Sequence, residues 1–284
     1  MSPVSSDVPM HADLIYDIGM HTGRDTAFYL AKGFRVVAVE ANPALVRESR
    51  MRFEAEIESG QLTIYNVAIA DRAGTTAFYV NEEKDDWGTA SLDFVRRNES
   101  LGTRHRAIEV PGLPLESILT ECGVPYYAKI DVEGADLLCL HALRGFLARP
   151  RYLSFESSLV DFDSFFGEMS HVWTLGYRAF KIVNQAENER VRCPNPPREG
   201  RYVDQRFDGH TSGPFGEESP GPWRDVDTTL ARYRRILRDS ARFGAAGRFA
   251  GTRIGALDAW LRRATGRSPI GWYDIHAKLP ESTS

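Results

Sequence analysis

Two carboxylates close two short apolar runs near the N-terminus. Asp17 ends "LIYD", Glu40 ends "RVVAVE", and Gly19 and Gly23 lie between them. A strand, a glycine turn that opens a helix, and an acid about 20 residues further on are the parts of a nucleoside site. The glycines allow the tight turn, and the second acid accepts hydrogen bonds from the two ribose hydroxyls. A dinucleotide asks for one more glycine, two residues after the first, so that the backbone can approach the pyrophosphate. That place holds His21. The spacing therefore disfavours a pyrophosphate.

A nucleoside cofactor without phosphate needs only the turn and room for its other end. S-adenosylmethionine is such a molecule, and its ammonium group would give Asp17 something to organise. Ala41 follows Glu40, and Asn66 and Ala68 lie in "YNVAIA", where the third strand exits toward the adenine. Asn66 either meets the purine edge or caps its strand.

A second set of acids follows. Asp131 and Glu133 stand in "AKIDVEGAD" and Glu156 in "RYLSFES", at the C-terminal edge of strands, where open α/β sheets bind ligands. An alcohol that accepts a group must lose its proton to a carboxylate or histidine within hydrogen-bond reach. Asp131 is the first candidate for that base, or for orienting the hydroxyl. Glu133 is either a partner in this or a charge favoured by a helix N-terminus. Asp131 and Glu156 together could instead hold a hard cation such as Mg²⁺, although two carboxylates are fewer than a dedicated site uses. His210, in the glycine- and serine-rich "FDGHTSGPFG", is a candidate base on a loop. His21 is its rival, and His276 reads as structural.

The elements that must carry these residues alternate between β-rich runs and helices. "LIYDI", "RVVAVE", "QLTIYNVAIAD", "YYAKID", "RYLSFES" and "YRAFKIV" read as strands, with "GTTAFYV" an extra one. "NPALVRESRMRFEAEIESG" is a helix, with Asn42-Pro43 at its start and Gly60 as its stop. Near-continuous apolar strands separated by helices predict a doubly wound, mostly parallel α/β sheet. Residues 1–12 read as a polar tail and 13–284 as one domain. From 184 to 270 the alternation stops in Pro- and Gly-rich loops and an Arg-rich stretch, which reads as a lid inserted before a last strand, "GWYDIHAKLP".

Three of these segments, "LIYDIGMHTG", "VVAVEANP" and "KIDVEGAD", resemble in order the motifs of the FkbM family of S-adenosylmethionine-dependent methyltransferases. That family has an aspartate–hydrophobic–glycine loop, an E-x-N-P ending to its second strand, and a K-I-D-V-E-G-A-E segment. Here Asp136 stands where the last glutamate usually lies, and Met20-His21 is bulkier and more polar than the small residues usual in the loop. The resemblance covers roughly residues 12–185. It implies the class I methyltransferase (Rossmann-like) fold and methyl transfer to an oxygen of a sugar, polyketide or lipid-linked glycan. It also implies that the loop around Trp87 borders the active site.

Composition bounds the alternatives. The chain has 284 residues, 42% hydrophobic and 26% charged, with a formal net charge of −4. Its three cysteines are widely spaced and signal neither disulfides nor a zinc site. Neither a signal peptide nor a run of about 20 apolar residues is visible, so a soluble, cytoplasmic protein is expected. Between Arg224 and Arg267 there are eleven arginines, four aspartates and no lysine. This is a solvated helix face, a surface for an anionic acceptor, or a contact with an anionic membrane. Nucleic acid is disfavoured because no basic–aromatic platform accompanies the arginines. The competing functions are a dinucleotide-dependent oxidoreductase and a non-enzymatic membrane- or partner-binding protein on the same fold.

Overall fold

The computed structural model describes residues 7–84, 87–132, 134–157, 161–244 and 247–281. They form two compact units, Met1–Leu153 and Ser154–Ser284.

The first unit is built on four strands, β1 (Met10–Ile18), β2 (Arg35–Val39), β3 (Leu62–Tyr65) and β7 (Val124–Ile130), in the order β3-β2-β1-β7. All their pairings are parallel. Leu14 to Ile18 and Val36 to Val39 are buried without interruption, because a parallel strand in the middle of a sheet has no solvent face. Helix α1 (Arg24–Ala31) links β1 to β2, and α2 (Pro43–Arg52) and α3 (Glu54–Glu58) link β2 to β3. Asn42 caps α2 by accepting from the Ala44 amide at 3.0 Å, with Pro43 at the first helical position. The single helix expected here breaks at buried Phe53. The break serves the turn before α1, since a Cβ on Gly23 would lie 2.7 Å from the Phe53 ring.

The run read as one third strand divides. β3 stays in the main sheet, while β4 (Ala68–Ile69) joins β5 (Gly74–Asn81) and β6 (His105–Leu113) in a second sheet of order β4-β6-β5. β6 contains Pro111 and Gly112, which hide it as a strand in the sequence. Helix α4 (Leu92–Ser100) follows the Trp87 loop, and α5 (Leu115–Cys122) leads into β7. After β7 comes α6 (Asp136–Ala142).

β8 (Tyr152–Ser157) begins at the division between the units. In the second unit β8, β10 (Tyr273–Lys278) and β9 (Ala179–Asn184) are neighbours in that order, and β9 and β10 pair antiparallel. Helix α7 (Phe162–Thr174) precedes β9. The stretch 184–270 carries two further helices, α8 (Val226–Phe243) and α9 (Arg253–Ala264). Phe165 of α7 stacks on Tyr233 of α8, with ring centroids 3.5 Å apart, and both are fully buried. The strands and helices together make the expected mostly parallel, Rossmann-like α/β fold. No helix among the described residues is long and apolar enough to cross a membrane.

Candidate functional site

The ends of β1, β2 and β7 bring most of the singled-out residues together in the first unit. The turn after β1 holds three consecutive left-handed positions at alternate residues: Gly19 (φ 87°), His21 (φ 52°) and Gly23 (φ 73°). Gly19 has no substitute, since a Cβ there would lie 1.8 Å from the Asp131 carbonyl oxygen. The Asp131 amide in turn donates to the Ile18 carbonyl at 2.8 Å. The glycine turn and the exit of β7 are therefore one piece of backbone.

His21 takes the backbone conformation that a glycine would supply, and a side chain there costs about 1–3 kcal/mol. What holds it is Glu40. The His21 amide donates to Glu40 Oε2 and the Asn42 amide to Oε1, both at 2.8 Å. Burial pushes the Glu40 carboxyl up, while the Asn42 and His21 amides pull it down; burial prevails. Each carboxylate oxygen can accept twice, so acceptor capacity remains on both.

Beneath the turn lies a buried cation that the sequence reading passed over. Lys129 faces Asp17 in the β1–β7 register. Its Nζ lies 3.3 Å from Asp17 Oδ1, 3.2 Å from Asp131 Oδ2 and 3.5 Å from Asp25 Oδ2. It also donates to the Gly19 carbonyl at 3.2 Å. Burial alone would lower the lysine's pKa, but Asp17, Asp131 and Asp25 outweigh it and hold the ammonium well above its ordinary value. One ammonium against three carboxylates leaves the cluster formally anionic. The side chains of Asp17 and Asp25 are 0% and 8% exposed and that of Asp131 is 43% exposed, so Asp131 carries this charge to the surface. The available signal was Lys129 itself, a charged residue inside an apolar parallel strand, where only a paired charge is tolerated.

The geometry gives the surroundings of Asp17, Asn66 and Ala68. Asp17 has no exposed surface: its Oδ2 accepts from the Thr26 hydroxyl at 2.6 Å and its Oδ1 faces Lys129. It organises the lysine and the turn. Asn66 is the tie that sequence left open, since its amide donates to the Glu40 and Ala41 carbonyls at 2.9 and 3.1 Å. Ala68 is buried in the core of the second sheet with Phe78 and Val110, and Ala41 packs against the same cluster.

The loop after β7 approaches α4 closely, for a Cβ on Gly134 would lie 2.8 Å from Ser91. Glu133 lies outside the described residues. Glu156 is half-buried on β8, and His210 is exposed, its amide donating to Asp208 Oδ1 at 2.9 Å. Both belong to the second unit. His276 is buried on β10, and burial, with Lys181 nearby, pushes its pKa down to about 3. That keeps the imidazole neutral and fits its structural reading. Among the described residues no group of three or more His, Cys, Asp or Glu is arranged to hold a metal. The Lys129 ammonium sits where Asp17, Asp25 and Asp131 converge, so the Mg²⁺ reading of Asp131 finds no support.

A family model described as the methyltransferase FkbM domain matches residues 17–179, more than half of the chain, and spans every residue of the site in the first unit. No curated protein matches. Among solved structures, the methyltransferase FkbM from Methylobacillus flagellatus KT aligns at 14% identity and a TM-score of 0.35, over 52% of this chain and 33% of that one. This chain thus spans about a third of that relative's length. SAM-dependent methyltransferases from Thiobacillus denitrificans and Geobacter sulfurreducens, each in complex with S-adenosyl-L-homocysteine, align at 9% identity and a TM-score of 0.35. They cover 96% of this chain and 87% and 86% of their own.

Proposed function

The chain belongs to the FkbM methyltransferase family, and from that premise we propose that it moves a methyl group from S-adenosyl-L-methionine to a hydroxyl oxygen. The acceptor is a sugar, a glycan or glycolipid, or a secondary metabolite. The observation that carries this reading is the anionic cluster of Asp17, Asp25 and Asp131 around Lys129, directly under the glycine turn. An excess of negative charge there favours a cationic ligand and opposes a pyrophosphate. His21, standing where a dinucleotide needs glycine, points the same way.

The residues fit the cofactor by the chemistry of their donors and acceptors. Glu40 would accept from the ribose hydroxyls with the capacity its two backbone partners leave. Asp131, the exposed member of the cluster, would face the positively charged amino-acid end or the acceptor. When bound, S-adenosylmethionine supplies a methyl group on a cationic sulfur, open to in-line displacement. Catalysis by the chain is then mostly positioning. The shared backbone of the turn and the β7 exit fixes Asp131, and Lys129 fixes its Oδ2 at 3.2 Å. From there Asp131 would orient the acceptor hydroxyl and take its proton.

Cofactor choice is tested directly by thermal unfolding. S-adenosylhomocysteine at a hundredfold excess over its dissociation constant should stabilise the protein by about 2.7 kcal/mol, and NAD should leave the melting temperature unchanged. Stabilisation by NAD alone would return the oxidoreductase reading. Product mass after incubation with S-adenosylmethionine and candidate glycans then reports methyl transfer.

Glu40 gives a sharper check by calorimetry. Removing two charge-assisted hydrogen bonds to the ribose in Glu40→Ala should weaken S-adenosylhomocysteine binding by about 2–4 kcal/mol. Part of that loss comes from the turn, because Glu40 also holds the His21 amide. Glu40→Gln keeps acceptor oxygen and should lose less. A folded Glu40→Ala protein with unchanged affinity would remove Glu40 from the site.

A further inference from the structure

Helix α9 is amphipathic in the wrong direction for a soluble fold. Its half-buried face carries Gly255, Asp258 and Arg262, at i, i+3 and i+7. Arg262 donates to Asp258 at 2.6 Å and to Asp239 of α8 at 3.0 Å. The rest of its surface presents Ile254, Leu257, Trp260 and Leu261, 54%, 55%, 61% and 44% exposed. None of the helix's residues is buried. A surface helix ordinarily turns such a stripe inward; here ion pairs face in and the apolar stripe faces out.

The exposed charged residues of α9 and of the turn just after it are all arginines. Of the eleven arginines from Arg224 to Arg267, all but half-buried Arg262 are exposed. Arg253 and Arg263 lie on α9 itself and Arg267 just beyond it. We propose that α9 and its flanking arginines dock this protein on an anionic lipid surface, with the helix lying in the interface plane. The stripe would enter the headgroup–acyl boundary and the arginines would pair with lipid phosphates. The helix is about 18 Å long, too short to span a bilayer but enough to lie along it. A second copy of the chain fits less well, because a face-to-face contact would bring two arginine-rich surfaces together. A nucleic acid would leave the apolar stripe unused.

The test is co-sedimentation of the intact protein with phosphatidylcholine vesicles, alone or mixed with phosphatidylglycerol. Partitioning should be at least about tenfold higher on the anionic vesicles and should fall with salt. Leu257→Ser combined with Trp260→Ser should lower it about tenfold or more. Replacing Arg253, Arg263 and Arg267 by glutamine should lower it about fivefold per charge. All five side chains are exposed, so the variants should melt with the wild type. Failure to sediment, equal partitioning on neutral vesicles, or a serine variant that binds like wild type would overturn the proposal. So would concentration-dependent self-association that the serine variant abolishes, which would assign the stripe to a second copy.

Discussion

Lys129→Met is expected to lower the unfolding free energy by about 3–5 kcal/mol, the usual cost of removing one partner from a buried ion pair. Methionine keeps most of the lysine's aliphatic stem but removes the ammonium faced by Asp17, with no exposed side-chain surface, and Asp25, nearly sealed. A domain's whole stability is only about 5–15 kcal/mol, so the loss is easily read in denaturant unfolding. Asp17→Asn in the Lys129→Met background should recover part of it, since it withdraws one of the stranded charges. The pH dependence has a definite sign. The folded-state pKa of Lys129 lies above its ordinary value, so its contribution is complete below the ordinary lysine range, about 10.4. It is lost only as pH rises through the folded value. A Lys129→Met protein within about 1 kcal/mol of wild type would mean that the cluster does not hold the site together.

Asp131→Asn carries the largest expected effect on activity. Asparagine keeps the shape and a hydrogen bond but removes the basic group from the exposed member of the cluster. Turnover should fall by about 10²–10⁴, the range for a lost general base, while affinity for S-adenosylhomocysteine changes far less. Single-turnover kinetics with saturating cofactor separate the two quantities. The opposite pattern, weakened cofactor binding with normal turnover, would place Asp131 on the cofactor and not on the acceptor. His210 supplies the competing outcome. If His210→Ala is inactive and Asp131→Asn is normal, Asp131 is not the base.

Much of this was legible in the sequence because it depends on local rules. An apolar run buried on both faces needs no partner to be recognised as a parallel strand, so β1, β2 and β7 could be read directly. Asn42-Pro43 starts α2 for reasons contained in two residues. The turn could be placed from Gly19 and Gly23 alone, because left-handed backbone is accessible to few other residues. The same local rules failed where pairing decides. β6 is a strand because β5 lies beside it over eight paired positions, and Pro111 and Gly112 in isolation argue against it.

What a side chain does was decided mostly by tertiary structure, since charge acts through space and not along the chain. Asp17 looked like a cofactor ligand because it ends a strand, yet its neighbour across the register is Lys129, 112 positions away. Asn66 could face a purine or a backbone, and only the path of β2 shows that the Glu40 and Ala41 carbonyls come within its reach. The arginine count from Arg224 to Arg267 was plain, but which way α9 turns its leucines was not. Helical spacing gives the stripe, but the side of α9 that meets α8, through Arg262 and Asp239, is seen only in the structure.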